Sequence, residues 1–201
     1  MLDYLENFQH YRTQRLNPSA APLAPNATVA GEWRFVELAV VLENQRPLAG
    51  YAVEISPTVD DAEWDARAAL NAFLCGEDRE TFCAWNEVAF ALGIEKGWGP
   101  WRRDPVIRAK KLADRRAAYD AVLRDPASAL DRFGVRYVAL PTGRERPAYL
   151  RRPHWRPLQE GPYWDIWERV VEGSSSPLSR PASNSKRSQV ARPVLSLTHP
   201  R

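Results

Sequence analysis

Cysteine and histidine are scarce in this 201-residue chain, which holds two cysteines, Cys75 and Cys83, and three histidines, His10, His154 and His199. Two cysteines are too few for a disulfide scaffold or a zinc cluster. The histidines form no HxH, HxxxH or HExxH pair, so no metal site is expected. The phosphate loops GxxxxGK[ST] and GxGxxG are missing, as are the GxSxG elbow and the CxxC pair, and no cofactor is called for. No window approaches the roughly 18 consecutive apolar residues of a membrane-spanning helix. The most apolar stretch, Phe35 to Leu42, is interrupted by Glu37. The opening MLDYLENFQHYR carries acids where an export signal carries bases. The chain is therefore expected to be soluble, and cytoplasmic by default.

Acids are missing altogether after Gly173, where Arg180, Lys186, Arg187, Arg192 and Arg201 give the tail five positive charges. The whole chain is only +3, so residues 1–173 are mildly acidic. Residues 172–201 are rich in serine and proline, lack aromatics, and are expected to be disordered, because they bury too little apolar surface to offset the entropy of ordering.

The rest divides by its punctuation. Residues 1–16 read as a helix with Tyr4, Phe8 and Tyr11 on one face. Residues 17–31, with three prolines and many small residues, read as a linker. Residues 32–171 read as an α+β domain: several helices packed on a small, mostly antiparallel sheet. Within it, WRFVELAVVL (33–42) reads as a strand and YAVEIS (51–56) as its hairpin partner. Asp60, with Glu63 three residues on, starts a helix that ends before Gly76. Asp78 starts another, which runs to Gly93. Asp104-Pro105 and Asp125-Pro126 start two more, the last stopped by Gly134. Strands are expected at 135–140, near Trp155–Leu158, and at 162–171.

Four constellations invite a functional reading. The helix after Asp104 and its approach carry Arg102, Arg103, Arg108, Lys110, Lys111, Arg115 and Arg116. These suit phosphate or headgroup contact, while Asp104, Asp114 and Asp120 make a solvated mixed face the plainer account. The tryptophans Trp98, Trp101, Trp155, Trp164 and Trp167, with the run Arg151-Arg152-Pro153-His154-Trp155-Arg156, could stack bases or sugars. Core packing and cation–π pairing explain the same residues without a ligand. Asp60, Asp61, Glu63 and Asp65 are the acids available for acid–base work, though capping and solvation account for them too. Cys75 and Cys83 flank a short turn between helices. They form a disulfide in an oxidising compartment and remain inert apolar thiols otherwise.

The run from Asn71 to Val170, about half the chain, resembles the extracytoplasmic C-terminal region of large bacterial multi-spanning membrane proteins, glycosyltransferase-like or uncharacterised. The resemblance rests on the strand entry Phe133-Gly134-Val135-Arg136-Tyr137-Val138 and the closing strand Trp164 to Val170. It implies an extracytoplasmic, non-catalytic accessory domain, detached from a larger protein, that contacts a membrane-protein partner or an anionic surface. No catalytic residue carries over. The alternative expectation is a nonspecific nucleic-acid-binding module using the basic helix and basic tail. An enzyme relying on Asp60 and Asp65 comes third.

Overall fold

The computed structural model describes residues 2–50, 58–84 and 104–170. In chain order the elements are α1 (Leu2–Arg15), β1 (Thr28–Gly31), α2 (Trp33–Glu43), β2 (Arg46–Pro47), α3 (Asp61–Leu74), α4 (Pro105–Arg124), α5 (Pro126–Phe133), β3 (Val135–Pro141), a 3-10 turn (Ala148–Arg151), β4 (Trp155–Gln159) and β5 (Trp164–Arg169). Residues 79–84 are also helical, entered through Asp78, whose carboxylate accepts from the Thr81 amide at 2.7 Å.

The fold is α+β, built among the described residues on a mixed five-stranded sheet of order β2-β1-β3-β5-β4. β1 pairs in parallel with both β2 and β3. The antiparallel ladders β3–β5 and β5–β4 make up the larger part. Strand alternation divides the core in two. Val29, Tyr137, Ala139, Trp164 and Ile166 pack with Tyr11 of α1 and with Phe35, Val36, Leu38 and Ala39 of α2. Ala30, Val138, Leu140, Trp155 and Trp167 pack with Ala69, Leu70 and Leu74 of α3, Tyr119 and Val122 of α4, and Leu130 of α5. The sheet is thus covered on both faces.

Two expectations are corrected. Residues 33–42 are helical, so the hairpin with 51–56 loses its first strand, and 51–56 themselves lie outside the described residues. Glu32 explains the helix: its side chain accepts from the Phe35 amide as an N-cap. Asn44, in the left-handed conformation, ends it. The linker expected over 17–31 ends in a fully buried strand, β1. β1 alternates between two apolar faces and so shows no polar–apolar pattern in sequence.

Nor does α1 stand apart, since Met1–Val171 form one compact unit. Gln14 accepts from the Tyr163 and Trp164 amides at 3.2 and 3.0 Å and donates to the Trp164 carbonyl at 2.6 Å. Arg15 pairs with Glu43 at 2.8 Å. β1 and β3 meet closely at Gly31, where φ is +121° and a Cβ would strike the Ala139 carbonyl. Asn71 of α3 bridges the Gly31 amide and carbonyl at 2.8 and 3.2 Å, tying helix to strand.

The helix starts at Asp60, Asp104 and Asp125 and the stop at Gly134 agree with the sequence reading. Strands β3, β4 and β5 fall where expected. The expected tail, 172–201, lies outside the described residues.

Candidate functional site

The acids and bases singled out in the sequence meet between α3 and α4. Asp60 accepts from the Glu63 amide at 2.8 Å and starts α3. Asp104 accepts from Val106 and Ile107 at 2.8 and 3.3 Å, with Pro105 at the first helical position of α4. Asp61 and Asp65 lie four residues apart, as do Lys111 and Arg115, so each pair occupies one helix face. The faces oppose each other. Asp65 Oδ1 accepts from Arg115 Nε at 3.0 Å, and Asp65 Oδ2 lies 3.1 Å from Lys111 Nζ. Lys111 also reaches Asp61 at 3.2 Å. Arg115 lies over the Trp64 ring, 4.7 Å from its centroid.

This network is deep: Arg115 is 1% exposed and Asp65 3%. Burial pushes the Asp65 carboxyl above its ordinary range, against the pull of Arg115 and Lys111. Beside it a groove of about 810 Å³ opens between the helices, walled by Ala62, Ala66, Ile107 and Ala118, with Lys110 and Asp114 also lining it.

The basic cluster is therefore divided. Lys111 and Arg115 turn inward to Asp65 and are corrected from phosphate contacts to internal salt-bridge partners. Arg108 is half-buried, and Lys110 and Arg116 are exposed. Arg102 and Arg103 lie outside the described residues. Of the acids, Asp60 caps and Glu63 pairs with Arg67 at 2.6 Å, leaving Asp61 and Asp65 in the network. The sequence reading missed this network, and the matched four-residue spacings were the signal for it. Cys75 and Cys83 are both buried free thiols, the second of the two states open to them in the sequence. Burial, reinforced by Glu77, pushes the Cys75 thiol up to about 12, which makes it a poor nucleophile. Trp155, Trp164 and Trp167 belong to the core, whereas Trp98 and Trp101 lie outside the described residues.

A second feature lies on the other side of the sheet. α2 buries Phe35, Val36, Leu38 and Ala39, and its outward face mixes the apolar Trp33, Val40 and Val41 with Arg34 and Glu37. Trp33 is 55% exposed, Val41 is 72% exposed, and Val40 is half-buried. Glu37 lies between them, its carboxyl raised by burial and by the neighbouring Glu32. The Arg34 guanidinium covers part of the Trp33 ring at 5.3 Å. Among the described residues no helix is long and apolar enough to cross a membrane.

No family model, no curated protein and no solved structure matches this chain.

Proposed function

We propose that this chain is a non-catalytic accessory domain that rests on a membrane surface through the outer face of α2. The observation that carries the reading is the exposure of Trp33 and Val41 on a helix whose inner face is already packed in the core. A tryptophan and a valine left exposed beside a packed inner face gain from a second apolar environment, which the polar Glu37 and Arg34 between and beside them can meet at its wet boundary. A tryptophan at its end, partly covered by an arginine, is suited to the headgroup boundary, where one edge is apolar and the other wet. The resemblance of residues 71–170 to extracytoplasmic regions of membrane proteins supports the same setting. So does the fate of the acids: Asp60 caps a helix and Asp65 neutralises buried cations, both structural tasks.

The nucleic-acid alternative draws less support, because Lys111 and Arg115 already have carboxylate partners. The remaining bases of α4 are interleaved with Asp114 and Asp120.

Amide hydrogen exchange on the full chain, alone and with zwitterionic vesicles, anionic vesicles or duplex DNA, tests both. Vesicles should raise protection over residues 33–43, and Val41→Glu should weaken vesicle binding at least about tenfold through the cost of inserting a charge. Protection rising along 104–116 with DNA would favour the alternative. No change with any addition would overturn the membrane reading.

A further inference from the structure

Between β3 and β4 run residues 142–154, with the 3-10 turn Ala148–Arg151 in their middle. The segment carries Arg144, Arg146, Arg151 and Arg152, and Arg156 and Arg169 follow in β4 and β5. Carboxylates answer some of these. Arg151 pairs with Glu145, Arg169 with Asp131 at 2.7 Å, and Arg156 with Glu168 at 2.6 Å. Arg146 and Arg152 have no carboxylate partner among the described residues. Each lies instead over an aromatic ring: Arg146 over Trp167 at 3.9 Å and Arg152 over Tyr149 at 4.6 Å.

The same stretch holds three buried nitrogens without a hydrogen-bond partner: Arg146 Nε, His154 Nε2 and Trp155 Nε1. Trp155 is only 4% exposed. Arg146 Nη2 approaches the Trp155 carbonyl at no better than 3.5 Å, and Arg146's own carbonyl accepts from Arg151 Nε at 2.9 Å. The Tyr149 ring meets His154 edge-on at 5.3 Å, which holds the imidazole beside the arginines. Native folds leave few buried donors unanswered, and each one asks for a partner such as water or an ion. Three within ten residues, in a region with uncompensated positive charge, ask for an acceptor that carries negative charge and several oxygens.

We infer that Arg146, His154 and Trp155 form a binding site for a phosphate-type oxyanion, free or as the phosphoryl group of a larger molecule. Arg152 supplies a second positive charge at its margin. Stacking on Trp167 fixes the plane of the Arg146 guanidinium, so its N–H groups lose little freedom on meeting the anion. The indole N–H of Trp155 adds a donor that cannot titrate. Burial, then Arg169 and Arg152, hold His154 below its ordinary pKa, and an anion placed beside the ring would act in the opposite direction. The site is separate from the α2 face, because Trp155 and Trp167 pack on the α3–α5 side of the sheet.

The test is a titration of the full chain with inorganic phosphate at constant ionic strength, followed by NMR of the indole N–H groups and histidine rings, with potassium chloride as the control. The Trp155 indole signal, assigned by its loss in Trp155→Phe, should shift saturably with phosphate and not with chloride. The His154 ring should titrate about one pH unit higher when the site is filled. Arg146→Gln should weaken phosphate binding at least about tenfold, the loss of a charged hydrogen bond. Arg152 is exposed, so Arg152→Gln keeps the fold in any case and should weaken binding severalfold. Glycerol phosphate and phosphatidate vesicles separate the sources: a response to both means that the phosphoryl group itself is read. Shifts that follow chloride equally, or phosphate affinity unchanged in both variants, mean an adventitious ion only and overturn the site. A response to vesicles without one to inorganic phosphate overturns it as well, since bilayer charge alone would then be sensed.

Discussion

Asp65 and Glu168 are both buried carboxylates held by two cations, and their proton affinities move in opposite directions. At each, burial is the largest influence and raises the pKa. At Glu168 it is outweighed. Arg156 donates to Oε2 at 2.9 and 2.6 Å, and Arg136 to Oε1 at 3.3 and 3.1 Å. At Asp65, Arg115 and Lys111 leave burial ahead. The cations themselves differ. Arg136 and Arg156 are 41% and 55% exposed along their side chains, whereas Arg115 is 1% exposed and Lys111 11%. A carboxylate forked by half-hydrated arginines is held in its charged form. One closed in with equally buried cations shares a desolvation cost that its partners only partly offset. Charge pairing at Glu168 therefore stabilises the ionised acid, while at Asp65 it chiefly makes a buried charge tolerable and fixes how α3 meets α4.

The largest effect should come from breaking the Asp65 network. Asp65→Ala leaves Arg115 and Lys111 buried without the carboxylate between them and should cost about 3–5 kcal/mol in urea unfolding. Asp65→Leu combined with Arg115→Leu and Lys111→Met should return to wild-type stability or exceed it. If the triple variant stays as unstable as the single one, the network is a net source of stability and the contrast with Glu168 collapses. Glu168→Gln should cost less, roughly 1–2 kcal/mol, because Arg136 and Arg156 can rehydrate where they stand. A loss greater than that of Asp65→Ala would reverse the comparison.

The smallest effect is the sharpest test, because its sign differs between the two acids. The folded pKa of Glu168 is depressed, so its contribution is present above the ordinary value near 4.5 and disappears as pH falls through the folded value. The folded pKa of Asp65 is raised, so its contribution is greatest below the ordinary value near 3.8 and declines as pH rises through the folded value. Unfolding midpoints measured across the acid range should therefore lose part of their rise with pH in Glu168→Gln. In Asp65→Asn they should instead lose part of an opposing fall. Parallel profiles in the two variants would show that the acids do not differ.

The same two acids show what was legible in the sequence and what was not. Capping aspartates speak locally, because the amides they satisfy lie two or three residues away. Asp60, Asp104 and Asp125 could therefore be placed without any tertiary knowledge. The α3/α4 network joins residues fifty apart, and its only trace is the paired spacing of Asp61/Asp65 and Lys111/Arg115. A charge run read along one helix suggests an outward surface, although two of its members are anchored inside. α2 misled for a different reason. When nearly every residue from 33 to 42 is apolar, periods of 2 and 3.6 fit equally well, and only Glu32 and Asn44 at its ends mark a helix. His154 and Trp155 fell in the run 151–156 noted in the sequence, whereas Arg146 did not, and that the three nitrogens are buried and unanswered is a property of packing alone.

Among the described residues, the two outer strands of the sheet carry a last consequence. β2 is two residues long and ends in Pro47, and β4 has Pro157 in its middle, flanked by the exposed Arg156. Neither border offers an unbroken row of amides to a newcomer, and one of them presents a charge as well. Among the described residues the ladder is poorly suited to growth at either border, so a crowded solution of this protein should not add strands from neighbouring copies there.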